Sequence, residues 1–303
     1  MNTRRIGSLD VTVVGVGCNN FGRRIDEAAS TTVIHAALDA GINFFDTADI
    51  YGETKSEQIL GRALGSRRSE VLIATKFGNP IDDQRKGAHP DYIKRAAEDS
   101  LKRLGTDYID LYQLHIPDPT VPIADTLGAL NDLVAAGKVR EIGCSNFSVD
   151  QLREAESAVK PGAARFASVQ NHYSLFYRAP EQAVVDECER TGMAFLPYFP
   201  LASGLLTGKH RKGQPVPDGT RLTGTPRGTE LLTEENLTVV ENLIAYAEAR
   251  GHTILELAIG WLLWHQVVAS VIAGATTPTQ IYANAASASW YLTELEIAEI
   301  NGI

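Results

Sequence analysis

Short apolar runs alternate with longer amphipathic segments along the whole chain. The apolar runs lack the hydrophobic–polar alternation of half-exposed strands, which is typical of parallel strands that are buried on both faces. A glycine separates several amphipathic segments from the next apolar run, as Gly41 does before residues 42–46 and Gly137 before residues 139–145. Glycine is the usual left-handed cap of a helix. This repeated order predicts parallel βα units.

The apolar runs and the amphipathic segments give a complete set of predicted elements. Strands are predicted at 13–17, 42–46, 71–76, 109–115, 139–145, 166–170, 194–198 and 269–272. Helices are predicted at 27–40, 56–64, 91–104, 123–136, 149–159, 180–191, 234–250, 254–265, 279–286 and 293–301. Eight strands, each followed by a helix, predict an α/β protein with a (β/α)8 TIM barrel. Residues 4–6 and 10–12 are expected to form an N-terminal hairpin across the barrel bottom.

A doubly wound parallel sheet is the main alternative architecture. Such a sheet requires a third glycine in the fingerprint after the first strand, and Asn20 stands at that position. A phosphate-binding loop is also missing, because Ser203 replaces the glycine that should precede Gly208 and Lys209. The barrel is therefore favoured. No linker or change in composition divides the chain, so residues 1–303 are expected to form a single domain.

Composition and charge narrow the range of functions. The net charge of −9 argues against a general binder of nucleic acid or of anionic membranes. The N-terminus has no apolar signal core, and no apolar stretch is long enough to span a bilayer. Cys18, Cys144 and Cys188 are widely spaced and follow no metal-ligand pattern, which suits free thiols in a reducing compartment. We therefore expect a cytoplasmic protein without a metal site; its oligomeric state is not indicated.

Long loops and ionisable residues mark one end of the predicted barrel. The loops at 18–24, 77–90 and 199–233 are longer than plain connections require, and TIM barrels place their sites at the carboxyl ends of the strands. Three predicted strands end in Asp46, Lys76 and His115, and Tyr51 follows the first of them. Each residue alone has an ordinary structural alternative: a loop cap, a packed phenol or a core histidine. A lysine at the end of a buried strand, however, needs a charged partner.

Together these four side chains predict acid–base chemistry. A phenol has an ordinary pKa of about 10 and is a poor acid near neutrality. An adjacent ammonium should lower the pKa of Tyr51, and a carboxylate should keep that ammonium charged and oriented. A neutral imidazole can then orient a carbonyl oxygen.

The sequence resembles the aldo-keto reductase superfamily over essentially its whole length. Residues 41–52, Gly-Ile-Asn-Phe-Phe-Asp-Thr-Ala-Asp-Ile-Tyr-Gly, are similar to the first signature of the family, and residues 100–115 to the second. Residues 143–147, 198–201 and 205–209 resemble later blocks in the same order. By this resemblance Tyr51 is the general acid that protonates a carbonyl oxygen, Lys76 and Asp46 tune its pKa, and His115 orients the substrate.

The resemblance also implies a nicotinamide cofactor and assigns its contacts. Ser145, Asn146 and Gln170 match positions that bind the carboxamide, and Tyr198 matches the aromatic residue that stacks on the nicotinamide. The segment that binds the pyrophosphate corresponds to Leu201, Ser203 and Lys209. The site for the adenosine 2′-phosphate and adenine corresponds to Gly274, Thr276, Gln280 and Asn284. NADP(H) is the expected cofactor. NAD(H) is kept as the alternative, because Thr276 and Thr277 stand where a basic residue is frequent in the family. Threonines at a helix N-terminus still bind phosphate, and Arg221 or Lys209 is expected to supply positive charge.

A small-molecule carbonyl compound is the expected substrate. Phe21, Phe77 and Phe199, with Trp290 as a further candidate, are expected to line a largely apolar pocket, although each is as well explained by loop packing. A metal-dependent hydrolase is a weaker alternative, since no His-Xaa-His pair occurs, and a glycosidase lacks a second carboxylate opposite Asp46. A redox-sensing binding subunit, as in the potassium-channel β-subunit branch of the family, is the non-enzymatic alternative.

Overall fold

The computed structural model describes residues Met1–Ile303. An antiparallel hairpin of β1 (Thr3–Ile6) and β2 (Leu9–Thr12) precedes a parallel sheet of eight strands. These strands are β3 (Val14–Gly17), β4 (Phe44–Asp46), β5 (Leu72–Phe77), β6 (Ile109–Leu114), β7 (Val139–Ser145), β8 (Phe166–His172), β9 (Ala194–Tyr198) and β10 (Val271–Gly274). Their order in the sheet, β10-β3-β4-β5-β6-β7-β8-β9, is that of a barrel cut open between its last two strands.

The segment just before β10 closes this barrel. The backbone nitrogen of Phe195 donates to the Val267 carbonyl oxygen at 2.7 Å, and the Phe195 carbonyl oxygen accepts from Ala269 at 3.1 Å. The sheet is thus joined around its whole circumference, which confirms the predicted (β/α)8 TIM barrel.

Helices cover the outside of the barrel. They are α1 (Glu27–Asp39), α2 (Lys55–Leu64), α3 (Pro90–Leu104), α4 (Ile123–Ala135), α5 (Val149–Ala158), α6 (Asp186–Thr191), α7 (Pro226–Leu231), α8 (Glu234–Glu248), α9 (Ile254–Trp264), α10 (Pro278–Ala286) and α11 (Glu294–Asn301). Most of them match the prediction within two residues at either end.

Two helical segments differ from the prediction. The helix expected at 180–191 begins as a π-helical turn, Glu181–Val185, before it continues as α6. The helix α7 was not predicted. It is short and lies within the long 199–233 loop, where Thr225 caps it by accepting from the Gly228 nitrogen and Pro226 occupies its first turn.

The interior of the barrel is filled from below by the hairpin. Ile6 and Leu9 are fully buried and belong to the same apolar cluster as Phe44, Leu111 and Leu196 of the barrel strands. The predicted hairpin is therefore present, and it closes the end of the barrel opposite the carboxyl ends of the strands.

Two further sequence predictions concern thiols and membranes. Cys18, Cys144 and Cys188 are buried and form no disulfide, which confirms the prediction of free thiols. Among the helices, none combines the length and the apolar character needed to cross a membrane.

Candidate active site

The four predicted catalytic residues meet at the carboxyl ends of neighbouring strands. Asp46 is the last residue of β4, Lys76 lies at the end of β5, and His115 directly follows β6. The Nζ atom of the fully buried Lys76 lies 2.6 Å from Oδ2 of Asp46 and donates to the Thr47 carbonyl oxygen at 2.8 Å. It also donates to the hydroxyl of Tyr51 at 3.5 Å. The ammonium thus joins the carboxylate to the phenol.

Two amides fix the other oxygen of Asp46. Gln170 Nε2 donates to Oδ1 at 2.8 Å, and Gln113 Nε2 donates to the same atom at 3.3 Å. Removing a carboxylate and an ammonium from water is costly unless both are paired and hydrogen-bonded. Asp46 satisfies this condition on both oxygens, so the pair is held in one geometry.

The acid–base properties of Lys76 and Tyr51 follow from burial and from their mutual charges. Burial lowers the pKa of Lys76, but Asp46 and Tyr51 more than compensate, so the pKa of Lys76 is raised. Burial raises the pKa of Tyr51, and the opposing effect of Lys76 does not cancel it, so that pKa is raised as well. The expectation that Lys76 lowers the pKa of Tyr51 below its ordinary value is therefore wrong. Desolvation of the phenolate, helped by the negative charge of Asp46, outweighs the ammonium.

His115 faces Tyr51 as a neutral ring. The two ring centroids are 5.8 Å apart in an edge-to-face arrangement. Burial, followed by the positive charge of Lys76, lowers the pKa of His115 to about 3, so the imidazole carries no charge near neutrality. Its Nδ1 is buried without a protein partner. A neutral imidazole has one nitrogen that donates and one that accepts a hydrogen bond, so the ring can bind a polar group without carrying a charge.

The residues predicted to bind a carboxamide form one network beside these four. Ser145 Oγ donates to the Gln170 carbonyl oxygen at 2.7 Å and accepts from Asn146 Nδ2 at 3.1 Å. Asn146 Nδ2 also donates to the His115 carbonyl oxygen at 3.0 Å, while Asn146 Oδ1 accepts from the hydroxyl of Tyr198 at 2.8 Å. Asn146 has a φ of 62°, a left-handed conformation that is uncommon for a residue with a side chain. The network connects the ends of β6, β7, β8 and β9.

Two adjoining clefts contain every predicted cofactor residue. The first, of about 700 Å³, is bordered by Asp46, Tyr51, His115, Ser145, Asn146, Gln170 and Tyr198. The second, of about 520 Å³, is bordered by Leu201, Ser203, Lys209, Thr276, Gln280 and Asn284. Phe199, Pro200, Arg221 and Gly274 border both, so the two clefts form one trench. Its two-part shape suits an elongated ligand with two ends, such as a dinucleotide.

The second cleft holds three cations close together. Arg24 donates to the Gly219 carbonyl oxygen at 2.9 Å, and Arg221 donates to Asn20 Oδ1 at 2.7 Å. Burial, followed by the charges of Arg24 and Arg221, lowers the pKa of Lys209. Cations that repel one another in this way favour an anion between them. The donor set therefore fits the phosphates of a dinucleotide.

Two polar residues of this cleft were missed as site residues by the sequence analysis. Arg24 and Asn20 both lie in the 18–24 loop, whose length was the available signal. Asn20 Nδ2 donates to the Ala275 carbonyl oxygen at 3.1 Å while its Oδ1 accepts from Arg221. It thus ties the first βα loop to the last one.

The predicted substrate pocket needs correction at three of its four aromatic residues. Phe21 and Phe77 are fully buried, and Phe77 stacks on Tyr112 with 4.7 Å between ring centroids. Trp290 is buried against His252 at 4.0 Å. Of the four, only Phe199 borders the trench.

The lining of the first cleft is mixed rather than largely apolar. Five of the 21 residues that line the first cleft are hydrophobic. The physical reason is that the strand ends present their polar and ionisable residues to this cleft, whereas the rings of Phe21 and Phe77 are fully buried away from it.

Comparison with known proteins places this geometry in context. Residues 13–303 match the model of the aldo/keto reductase family. Aldo-keto reductase YhdN of Bacillus subtilis is 36% identical over 304 residues, covering 97% of this chain and 90% of that protein. An aldo-keto reductase of Schizosaccharomyces pombe whose name carries NADP(+), yakc, is 37% identical, covering 86% and 79% of the two chains. The solved structure of glycerol dehydrogenase AKR11B4 from Gluconobacter oxydans has a TM-score of 0.86 at 30% identity, covering 99% and 94%.

Proposed function

This chain belongs to the aldo/keto reductase family, and from that premise we propose that it is an NADPH-dependent oxidoreductase. Its reaction is the reversible reduction of an aldehyde or ketone carbonyl to an alcohol. The observation that carries the proposal is the position of Lys76 Nζ, 2.6 Å from Asp46 and 3.5 Å from the hydroxyl of Tyr51, in a cleft that His115 also borders.

Tyr51 is proposed as the proton donor. Its raised pKa keeps the phenol protonated at neutral pH, so the proton is available for a carbonyl oxygen. As that proton leaves, the positive charge of Lys76 stabilises the phenolate that forms. Asp46 keeps Lys76 charged throughout and holds it in place. When bound, the nicotinamide cofactor supplies the hydride that the carbonyl carbon accepts.

His115 is proposed to orient the carbonyl group. The imidazole is neutral over the physiological range and packs edge-to-face against the phenol, and both residues border the first cleft. A neutral ring nitrogen can donate to the same carbonyl oxygen that Tyr51 protonates. This fixes the oxygen between two donors and excludes orientations in which the proton and the hydride arrive at the wrong atoms.

The trench supports the cofactor assignment. Ser145, Asn146 and Gln170 would hold the carboxamide, and Tyr198 would contact the nicotinamide ring. Arg24, Lys209 and Arg221 offer positive charge at the other end, which favours NADP(H) over NAD(H) because the 2′-phosphate adds negative charge. The name of the Schizosaccharomyces pombe relative, which carries NADP(+), agrees with this preference.

The polar groups in the mixed lining of the first cleft extend the proposal to the substrate. Hydroxylated aldehydes and ketones fit this lining better than purely apolar ones, because their hydroxyl groups can replace the hydrogen bonds that they make to water. A structural relative is named a glycerol dehydrogenase, which agrees with a polar substrate. A single-domain organisation and a cytoplasmic location stay predictions.

The test follows absorbance of the reduced nicotinamide with a panel of small aldehydes and ketones, with NADPH and NADH compared. We expect Tyr51→Phe to reduce turnover by at least about a thousandfold while NADPH binding, measured by calorimetry, persists. A variant that still turns over at the wild-type rate would rule out Tyr51 as the donor. A wild-type chain that binds neither coenzyme would overturn the proposed function itself.

A further inference from the structure

Three aromatic rings form a column at one wall of the trench. The ring of His172 lies 3.9 Å from that of Tyr177 with an interplanar angle of 11°, and 5.4 Å from that of Tyr198 with an angle of 10°. His172 and Tyr198 are register partners at the carboxyl ends of β8 and β9, so the backbone places the two side chains next to each other. The column runs from the exposed Tyr177 inward to Tyr198, which borders the trench.

The middle ring of the column is held from its edge. Arg227 Nη2 lies 3.3 Å from His172 Nε2, and the Arg227 guanidinium lies 4.4 Å from the centre of the Phe199 ring. Phe199 in turn packs edge-on against both His172 and Tyr198, with centroid distances of 5.7 Å and 5.4 Å. The plane of His172 is therefore fixed from two directions.

The His172 ring is neutral under physiological conditions. Burial, followed by the positive charge of Arg227, lowers the pKa of His172 to about 4. A neutral ring can accept the Arg227 hydrogen bond at Nε2, which a protonated ring cannot. The contact with Arg227 and the neutral state of the ring thus support each other.

Contacts hold one face of the Tyr198 ring and its hydroxyl group, whereas the other face of the ring is free. His172 covers one face of its ring, and its hydroxyl donates to Asn146 Oδ1 at 2.8 Å. His172 does not border the trench, whereas Tyr198 does, so the remaining face of Tyr198 is turned toward the trench. A planar ring bound there would become the next layer of the column.

We propose that His172 is a positioning residue for the nicotinamide ring, an inference that rests on the proposed function. It acts through Tyr198 by fixing the plane on which the nicotinamide stacks, and Arg227 in turn fixes His172. The aromatic layer, rather than the hydrogen bond alone, is the part that matters for coenzyme affinity.

Two substitutions separate these contributions. His172→Gln removes the ring and keeps an acceptor for Arg227, whereas His172→Phe keeps a ring and removes the acceptor. A matched control is His252→Gln, because His252 stacks on Trp290 at 4.0 Å and 10° and lies away from the trench. Dissociation constants for NADPH are measured by calorimetry, and melting temperatures are measured without coenzyme.

We expect His172→Gln to weaken NADPH binding by roughly three- to tenfold, the range typical of one lost aromatic pair. His172→Phe should stay within about twofold of wild type. His252→Gln should lower the melting temperature as much as His172→Gln does and leave NADPH affinity unchanged. Should His172→Gln not fold, His172→Leu takes its place with the same expectation.

Normal NADPH affinity in the ring-less variant, with wild-type binding intact, would overturn this inference and leave the proposed function standing. Equal weakening by His172→Phe and His172→Gln would also overturn it, because the hydrogen bond would then be the important contact. If the wild-type chain bound no coenzyme, the proposed function would fall and this inference with it.

Discussion

The Nζ atom of Lys76 lies 2.6 Å from Oδ2 of Asp46, and the two side chains are almost completely buried, with exposures of 0% and 4%. The pair is therefore screened much less by water and salt than a pair on the surface. Each charge offsets the desolvation cost of the other, so removing one partner alone leaves an uncompensated charge in the interior.

Lys76→Met should destabilise the protein strongly, because it leaves the Asp46 carboxylate buried without its counter-ion. A cost of roughly 3–5 kcal/mol in the free energy of unfolding is expected. Adding Asp46→Asn to Lys76→Met should recover more than half of this loss, since no uncompensated charge remains and the new side chain can still accept from Gln170. Urea denaturation at pH 7 measures both values.

A surface pair provides the control for this comparison. Lys94 lies 2.7 Å from Asp132, but the two side chains are 49% and 60% exposed. Lys94→Met should cost less than about 1 kcal/mol. If Lys76→Met cost no more than Lys94→Met, the buried pair would not be the strong interaction that its geometry indicates.

Asp49 should make stability depend on pH. Both of its carboxylate oxygens are buried, and burial, followed by the charge of Glu57, raises its pKa to about 7. The folded state therefore holds a proton that the unfolded state releases at lower pH. The stability from this protonation is present below the ordinary pKa of about 4 and is lost as pH rises toward 7.

Asp49→Asn removes this titration. The free energy of unfolding of the variant, taken relative to that of wild type, should therefore increase from pH 4 to pH 8. The increase is at most about 1.4 kcal/mol for each pH unit between the two pKa values. Chemical denaturation at pH 5 and pH 8 measures the difference, and Asp132→Asn serves as an exposed control. Parallel pH profiles for wild type and Asp49→Asn would show that Asp49 is ionised normally in the folded protein.

Arg24→Gln should weaken coenzyme binding. Arg24, Lys209 and Arg221 border one cleft and repel one another, so the loss of one cation reduces the attraction for phosphate. We expect NADPH affinity to fall roughly three- to tenfold and its dependence on salt concentration to become weaker. Titrations at two salt concentrations measure both effects.

Arg95→Gln is the matched control for Arg24→Gln, because Arg95 is an exposed arginine on α3 that does not border the trench. Equal effects of the two substitutions would indicate that only the overall charge of the protein matters.

Residues fixed by strand position were predictable from the sequence. Asp46, Lys76 and His115 end or follow adjacent parallel strands, so the register alone brings them together. Strand alternation also predicts the direction of Phe77. Side chains alternate along a strand and Lys76 points into the barrel mouth, so Phe77 points outward to the helices. The burial of Phe77 away from the trench was therefore predictable from its position in the strand.

Features that depend on long loops or on competing energies were not predictable. Arg24 borders the second cleft and donates there to Gly219 of the 199–233 loop, and no local pattern indicates this contact. The raised pKa of Tyr51 reflects a balance between burial and the charge of Lys76, and the sequence reveals the neighbour but not the degree of burial.

The hairpin of β1 and β2 limits the directions from which a ligand can reach the site. Because its apolar residues fill the barrel from below, nothing can reach Asp46 or Tyr51 from that side. Any molecule that contacts Tyr51 or His115 must therefore enter and leave the first cleft at the carboxyl ends of the strands.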